Sequence, residues 1–428
     1  MSIRKIIQVD EKVPAKLLVP LSLQHTFAMF GASVLVPIIF GIDTGIVLLM
    51  NGIGTLLFIL ITKGKAPAYL GSSFAFLAPA GMVIANMGYE YALGGFVFVG
   101  LVGCIIAGII YKFGTAWINV ILPPAAMGSV VALIGFELAR ITITGGKIGA
   151  NIMTDSSTIN DKIVFGVTLS VAILGSVLFR KFFATIPILI AIIVGYITSI
   201  YLGMVDFSVV TSTPLFTIPK FQMAKFNVTA ILTMLPVIFV IVSEHISHQV
   251  VTSRIINRDL IKDPGLHKSL FADNFSTMLS GFVGGVPTTT YGENIGVMAI
   301  TGVYSVQVIK GAAIISICMA FIGPFSALIQ SIPGNVIGGV TFLLYGMIGS
   351  SGLRLLVEEK VNFNKPQNLI LTSVTFIAGL SGLQIQMFDI TFQGMNLAAI
   401  IGIVISLLFY VFDKFNIMNE KWNEEVDI

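Results

Sequence analysis

The chain has 428 residues, is 56% hydrophobic and only 11% charged, and carries a formal net charge of +3 with a mean hydropathy of +0.96. Apolar runs of about 20 residues, the length that crosses a bilayer, recur almost from end to end, which excludes a soluble globular fold and predicts an all-α polytopic membrane protein. The two cysteines, Cys104 and Cys318, lie in apolar helix patterns, so neither a disulfide framework nor a metal site is indicated, and no cofactor or nucleic-acid partner is expected.

The first sixteen residues, MSIRKIIQVDEKVPAK, mix both charges ahead of an apolar run too long for a signal sequence, which reads as an uncleaved first helix. Strong spans follow at 17–39, 44–62, 92–111, 161–179, 184–203, 227–247, 304–331 and 395–412. Weaker ones fill the gaps at 70–86, 125–143, 269–286, 288–301, 333–352 and 367–385, giving fourteen in all. With the N-terminus cytoplasmic, nineteen lysines and arginines fall on the cytoplasmic side. Only Arg140, Lys147, Lys162, Lys220 and Lys225 fall opposite, the asymmetry the positive-inside rule asks for. Dropping one short segment from each half would spoil it, so both termini are expected in the cytoplasm.

The third and tenth segments are interrupted in the same way. AYLGSSFAFLAPAGMVIANM (68–87) and TTTYGENIGVMAIT (288–301) each begin with a Gly/Ser/Thr/aromatic stretch before an apolar run too short to cross alone. Seven positions separate them, so the second half runs inverted relative to the first, and such pairs point to a transporter's central binding site. The alternative is two re-entrant loops, or helices weakened by glycine. Backbone at membrane depth must be hydrogen-bonded, so the two extended stretches are expected to pair as short strands. The half-helices that follow would aim their N–H groups at one point, with Phe74 and Tyr291 offering ring surfaces.

Ionisable groups inside spans default to function. In PVIFVIVSEHISHQVV (236–251), Glu244 and His248 share a helix face, while His245 is turned about 100° away and reads as structural. His25 is expected to bond Gln24 or the binding-site helix, and His267 to be solvated. Glu244 and Glu293 are two intramembrane carboxylates that could accept from ring N–H groups, beside backbone N–H groups that donate to ring carbonyls. A nucleobase fits that pattern. A zincin needs two histidines four apart around the glutamate; here they are three apart and the glutamate precedes both. No G-x-S-x-G elbow occurs either, so no enzyme is expected.

ENIGVMAIT (293–301), the Gln24-His25 pair, PAYLGSSFAF, PPAAMG, SEHISH and DPGLHKS resemble the nucleobase–ascorbate transporter family, in register from about residue 15 to about 415. The resemblance implies two inverted seven-segment repeats forming a core domain (17–112 and 227–331) and a gate domain (113–226 and 332–412), between a cytoplasmic N-terminus (1–16) and a cytoplasmic tail (413–428). It implies import of uracil or a related nucleobase with a proton across the bacterial inner membrane. Carried over, Glu244 and Glu293 would hydrogen-bond the base, and backbone at Phe74 and Gly292 would donate to its carbonyls. Tyr291 and Phe74 would flank the ring, and Tyr345 would close from the gate. His248 would couple to Glu244 in proton transfer, with His25, Ser73, Asn294 and Thr341 in support. Glu293, where purine transporters of the family tend to carry glutamine, favours uracil over xanthine. A homodimer through gate helices is also implied, for which the small-residue patches at 338–340 and 379–382 would allow close contact.

Overall fold

In the computed structural model, which describes residues 6–144, 157–387 and 390–418, the apolar runs fold as helices. Arg4, Lys5, Lys147 and Lys421 of the charge count, and the tail from 419, lie outside the described residues. The first half runs α1 (Ala15–Phe40), α2 (Thr44–Ile61), strand β1 (Leu70–Ser72), a 3-10 turn (Phe74–Phe76) and α3 (Leu77–Met87). It continues through α4 (Tyr89–Phe113), α5 (Ala116–Ile121), α6 (Pro124–Thr144), α7 (Ile159–Leu178), α8 (Pro187–Tyr201) and α9 (Ser208–Ser212). The second half opens with α10 (Val228–Met234), α11 (Val237–Ile256), α12 (Leu266–Val283), β2 (Thr288–Thr290), α13 (Gly292–Thr301) and α14 (Val306–Ala320). It closes with α15 (Gly323–Gln330), α16 (Gly334–Glu358), α17 (Pro366–Leu380), the hairpin strands β3 (Gln384–Met387) and β4 (Ile390–Gln393), and α18 (Gly394–Lys414). Among the described residues, seven helices are long and apolar enough to cross a bilayer, with α10 and α11 counted as one.

Three expectations are adjusted. The run 304–331 is two helices, because the chain turns at Phe321–Ile322 and Pro324 in the first turn of α15 has no N–H to continue a ladder. The run from 227 is interrupted at Leu235-Pro236 and then continues to Ile256. The hairpin before α18 was not anticipated.

Tight helix pairs form where small residues remove side chains from the contact. α2 packs on α14, α4 on α12, and α6 on α16. A Cβ at Gly52 would sit 2.7 Å from Ala313 O, and one at Gly100 would sit 2.7 Å from Asn274 O. Cβ atoms at Gly135 and Gly352 would overlap the backbone of the facing helix. Gly339 and Gly379, offered above as intermolecular contacts, meet Thr168 and Leu133 of the same chain. Phe76, Leu93, Phe96, Met234 and Ile238 fill the largest core, with Phe76 edge-on to Phe96 at 5.4 Å.

At the centre, β1 and β2 pair antiparallel, with Leu70 opposite Thr290, Gly71 opposite Thr289 and Ser72 opposite Thr288. The ladder extends through Tyr291 N to Tyr69 O (3.1 Å) and Ser73 N to Pro287 O (2.8 Å). A two-stranded ribbon has two open edges, and two threonines act on them. Thr55 Oγ1 of α2 accepts from Leu70 N at 2.9 Å and donates to Asn51 O of its own helix at 2.7 Å, with Leu70 O farther off at 3.4 Å. Thr277 Oγ1 of α12 accepts from Thr288 N at 3.0 Å and donates to Thr288 O at 2.8 Å. Thr277 can serve both groups of one residue because a hydroxyl is both donor and acceptor.

A second extended piece lies at the other end of α13. Ile7 N donates to Gly302 O (3.0 Å), Tyr304 N to Ile7 O (2.8 Å) and Val306 N to Val9 O (3.0 Å). Asp10 of this strap pairs with Arg258 at 2.5 Å, and that hydrogen bond holds the Asp10 carboxyl below the usual carboxylate range.

Thr55→Val or Thr277→Val strands a buried N–H, at a cost of about 1–3 kcal/mol per unpaired group. Each is expected to lower the unfolding temperature in detergent, whereas the serine variants should stay near the parent; equal losses for valine and serine would show that packing, not the hydroxyl, matters. Because the Asp10 value is depressed, its contribution is complete above the ordinary carboxylate range and is lost as pH falls through the lowered value. At neutral pH, Asp10→Asn should free the strap and speed trypsin cleavage at Lys12; an unchanged rate would mean that the backbone bonds alone hold it.

Candidate functional site

The ribbon sends the chain into two helices from adjacent strands running in opposite directions. Ser73 precedes the turn leading to α3 and Tyr291 precedes α13, and neither side chain caps the helix it introduces. The first N–H groups of a helix have no internal partner, so two sets of backbone donors begin beside each other. Ser72 Oγ, Ser73 Oγ and Thr289 Oγ1 are buried with no hydrogen-bond partner among the described residues. The half-buried Phe74 ring meets Tyr345 of α16 edge-on, at 6.3 Å between centroids and 82° between planes. Tyr291 is committed to the ribbon, its ring against Gly71 and its hydroxyl donating to Ser72 O at 2.9 Å.

α11 runs alongside. His248 Nδ1 is 3.1 Å from Thr290 Oγ1, and its Nε2 would be 3.4 Å from a Cβ at Gly292, so this imidazole buttresses the start of α13. Glu244 Oε2 is buried without a hydrogen-bond partner among the described residues, within electrostatic range of Glu293 and Asp273. On α13, Gly292, Glu293, Gly296, Ala299 and Ile300 form an exposed stripe, while Asn294, Ile295, Val297 and Met298 are buried. Ile300 and Thr301 at the end of that helix wall a cavity of about 500 Å³ with Lys12, Gln24, Lys181 and Phe182. Glu293 therefore lies on a face that leads to solvent.

The supporting residues divide. Asn294 Nδ2 lies 2.8 Å from His25 Nδ1, which ties α1 to the buried face of α13. Gln24 turns away to Thr185 Oγ1 at 3.1 Å. Thr341 Oγ1 is engaged within its own helix, donating to Ile337 O at 2.9 Å. His267 is half-buried with its ring 4.9 Å from Tyr111 rather than simply solvated.

One group was missed. Asp273 of α12 is fully buried, with Oδ2 3.3 Å from Nδ1 of the equally buried His245, whose Nε2 is 3.0 Å from Ser269 Oγ. The signal was present: an aspartate inside SLFADNFSTMLSG is the same kind of intramembrane carboxylate that singled out Glu244. Together the groups offer backbone donors, two carboxylate acceptors and a ring surface, which suits a small planar ligand with alternating N–H and C=O groups.

The family profile described as Permease family matches residues 16–388. The uracil permease of Escherichia coli (strain K12) is 52% identical over 408 residues, covering 95% of this chain and 94% of that protein. The uracil permease of Paenibacillus larvae subsp. larvae is 49% identical over 423 residues (98% and 99% covered), and that of Bacillus subtilis (strain 168) is 45% identical over 399 (91% and 92%). In fold, the chain is similar to the transmembrane domain of the cyanobacterium bicarbonate transporter BicA, with TM-score 0.60 at 14% identity over 94% of this chain and 99% of that one. It is also similar to the murine Slc26a9 anion transporter in its inward-facing state, with TM-score 0.65 at 11% identity over 94% and 69%. The match over most of the chain, the extent of identity to named permeases and the recurrence of membrane-length apolar helices together make this chain a member of the Permease family, a multi-pass membrane transport protein rather than an enzyme.

Proposed function

We propose that the protein imports uracil with a proton by alternating access. The observation that carries this reading is the pair of uncapped helix starts set back to back on the β1–β2 ribbon, with Glu244 and Glu293 beside them. Uracil has two ring N–H donors and two carbonyl acceptors. Backbone N–H at Phe74 and Gly292 would donate to the carbonyls, and the two carboxylates would accept from the N–H groups. Phe74, backed by Tyr345, would lie against the ring, and Ser73 could add its free hydroxyl. The uracil permeases among the relatives support the substrate.

The fold is read as fourteen crossings in two inverted repeats of seven. Contacts support this: moving each partner seven segments along turns the α2–α14 pair into α12–α4, and α7–α8 into α17–α18. Thr55 and Thr277 sit on segments two and nine, again seven apart. The core would comprise segments 1–4 and 8–11 and the gate segments 5–7 and 12–14, with both termini in the cytoplasm of a bacterial cell. The exposed stripe of α13 would then face the cytoplasm, so the site is inward-open. The proton would travel on the Glu244 and His248 region, and Glu293 would fix orientation and selectivity. A homodimer would have to use gate surfaces other than Gly339 and Gly379, which are occupied within the chain.

Two other substrates fit the architecture less well. Xanthine would need a site tolerant of a larger ring, and Glu293 stands where glutamine would favour it. An anion would be repelled by two carboxylates at the site.

In proteoliposomes with an imposed inward proton gradient, labelled uracil is expected to accumulate, and a protonophore should abolish accumulation. Exchange without accumulation would keep the substrate and remove the proton. Glu244→Gln should reduce accumulation by at least tenfold; parental uptake in that variant would overturn the coupling scheme. Glu293→Gln should weaken uracil binding by about ten- to a hundredfold, the loss expected for one charge-assisted hydrogen bond. Unchanged uracil affinity would remove Glu293 from the contact set.

A further inference from the structure

At the end of the fold opposite the α13 stripe, gate and core are stitched together by groups with no part in the substrate reading. The break between α10 and α11 is the starting point. Pro236 has no N–H to donate, and the chain resumes with Ile238 N bonded to Leu235 O at 3.1 Å. Thr233 O, just before the break, accepts from Asn396 Nδ2 of α18 at 2.7 Å. Gln393, one residue before α18, places its Nε2 2.9 Å from the sulfur of Met82 on α3. Both contacts join the gate side of the chain to the core side.

Asn396 is aimed by a third helix. Gln393 does not cap α18 with its side chain, and Met395 N instead donates to Glu137 Oε2 of α6 at 2.8 Å. A carboxylate at a helix N-terminus is favourably placed against the helix dipole. Gly394, with φ +57°, allows the approach, because a Cβ there would overlap the Glu137 carboxylate. Glu137 thus fixes the first turn of α18 to α6, and that turn carries Asn396 to Thr233 O beside the break.

We propose that Asn396 and Glu137 form a latch that closes the outer route to the substrate site, Asn396 as the contact that parts when the route opens and Glu137 as the positioning residue that holds it in register. The proposal rests on the core-and-gate reading above. In that reading α3 runs from the ribbon toward the outer face, so the Gln393 and Asn396 contacts lie across the path by which uracil would arrive. The bond is a single neutral hydrogen bond to a carbonyl, strong enough to bias the closed state and weak enough to part in each cycle.

The test uses the full chain in proteoliposomes with Cys104→Ser, Cys318→Ser and a reporter at Gly81→Cys, where a Cβ meets nothing within 4 Å. This position neighbours Met82 on α3. A membrane-impermeant maleimide added outside reads how often the outer route opens. Asn396→Leu keeps the volume and removes the donor, and is expected to raise the labelling rate roughly three- to tenfold, the population shift of one hydrogen bond. Glu137→Ala should raise it similarly, while Glu137→Gln, which retains an acceptor for Met395 N, should stay near the parent. The half-saturating concentration of external uracil should fall along with the rise in labelling. If uracil alters labelling in the parent but Asn396→Leu and Glu137→Ala leave the rate unchanged, the latch is overturned and the transport reading stands. If uracil has no effect on labelling in the parent, the core-and-gate reading fails and the latch with it. Variants that still bind uracil are folded, so a faster rate in them cannot come from unfolding.

Discussion

The structure turns on a short piece of extended backbone held where water cannot reach its edges. Six residues, Leu70–Ser72 and Thr288–Thr290, form a ribbon whose inner bonds are made between the strands and whose outer edges would otherwise carry unpaired N–H and C=O groups. Such groups are not tolerated in a bilayer core unless protein satisfies them. Thr277 satisfies both groups of Thr288 at one edge and Thr55 accepts from Leu70 N at the other, from helices that also pack against the ribbon. Once the ribbon can exist, two helices can begin in the middle of the fold, and their first N–H groups become available to something other than protein.

The carboxylates around that point are in different surroundings, and the difference follows from how the helices face. Asp273 and His245 are wholly enclosed and lie against each other, Oδ2 3.3 Å from Nδ1. Glu293 is on the stripe of α13 that opens toward the cavity beside Lys12 and Lys181. Glu244 has one oxygen buried with no hydrogen-bond partner among the described residues. An enclosed polar pair therefore lies behind an exposed helix face. Removing Asp273 alone would leave His245 without its counterpart inside a closed interior, a structural consequence distinct from any loss of ligand contact.

The helix pairs are rigid because glycines bring backbones into direct contact, as between α6 and α16 or α4 and α12. Contacts between the proposed core and gate are of another kind. Phe74 meets Tyr345 by a ring edge, and Asn396 meets Thr233 by one hydrogen bond. Tight packing within a body and modest contacts between bodies suit relative movement. The strap of residues 7–9, bonded to Gly302, Tyr304 and Val306, belongs with the first kind, since it fastens the chain's beginning to the far end of the site helix.

The sequence alone determined the membrane class, the helical periodicity and the two interrupted segments, because each follows from the local apolar pattern and from glycine, serine and threonine breaking it. It also pointed to Glu244, Glu293 and His25 as charges or imidazoles set in apolar surroundings, and that signal needs no partner to be read. It did not reveal Asp273 or Glu137, although the same signal was present. Nor did it show that His248 would turn to Thr290, that Tyr291 would be spent on Ser72, or that Thr341 would bond within its own helix. Those outcomes depend on which groups from distant segments arrive within about 3 Å, the reach of a hydrogen bond. Hydropathy records where a residue prefers to be, but only the packed chain decides which donor meets which acceptor. Thr55 and Thr277 read in the sequence as ordinary helix residues, and their place at the ribbon edges exists only once four separate segments have come together.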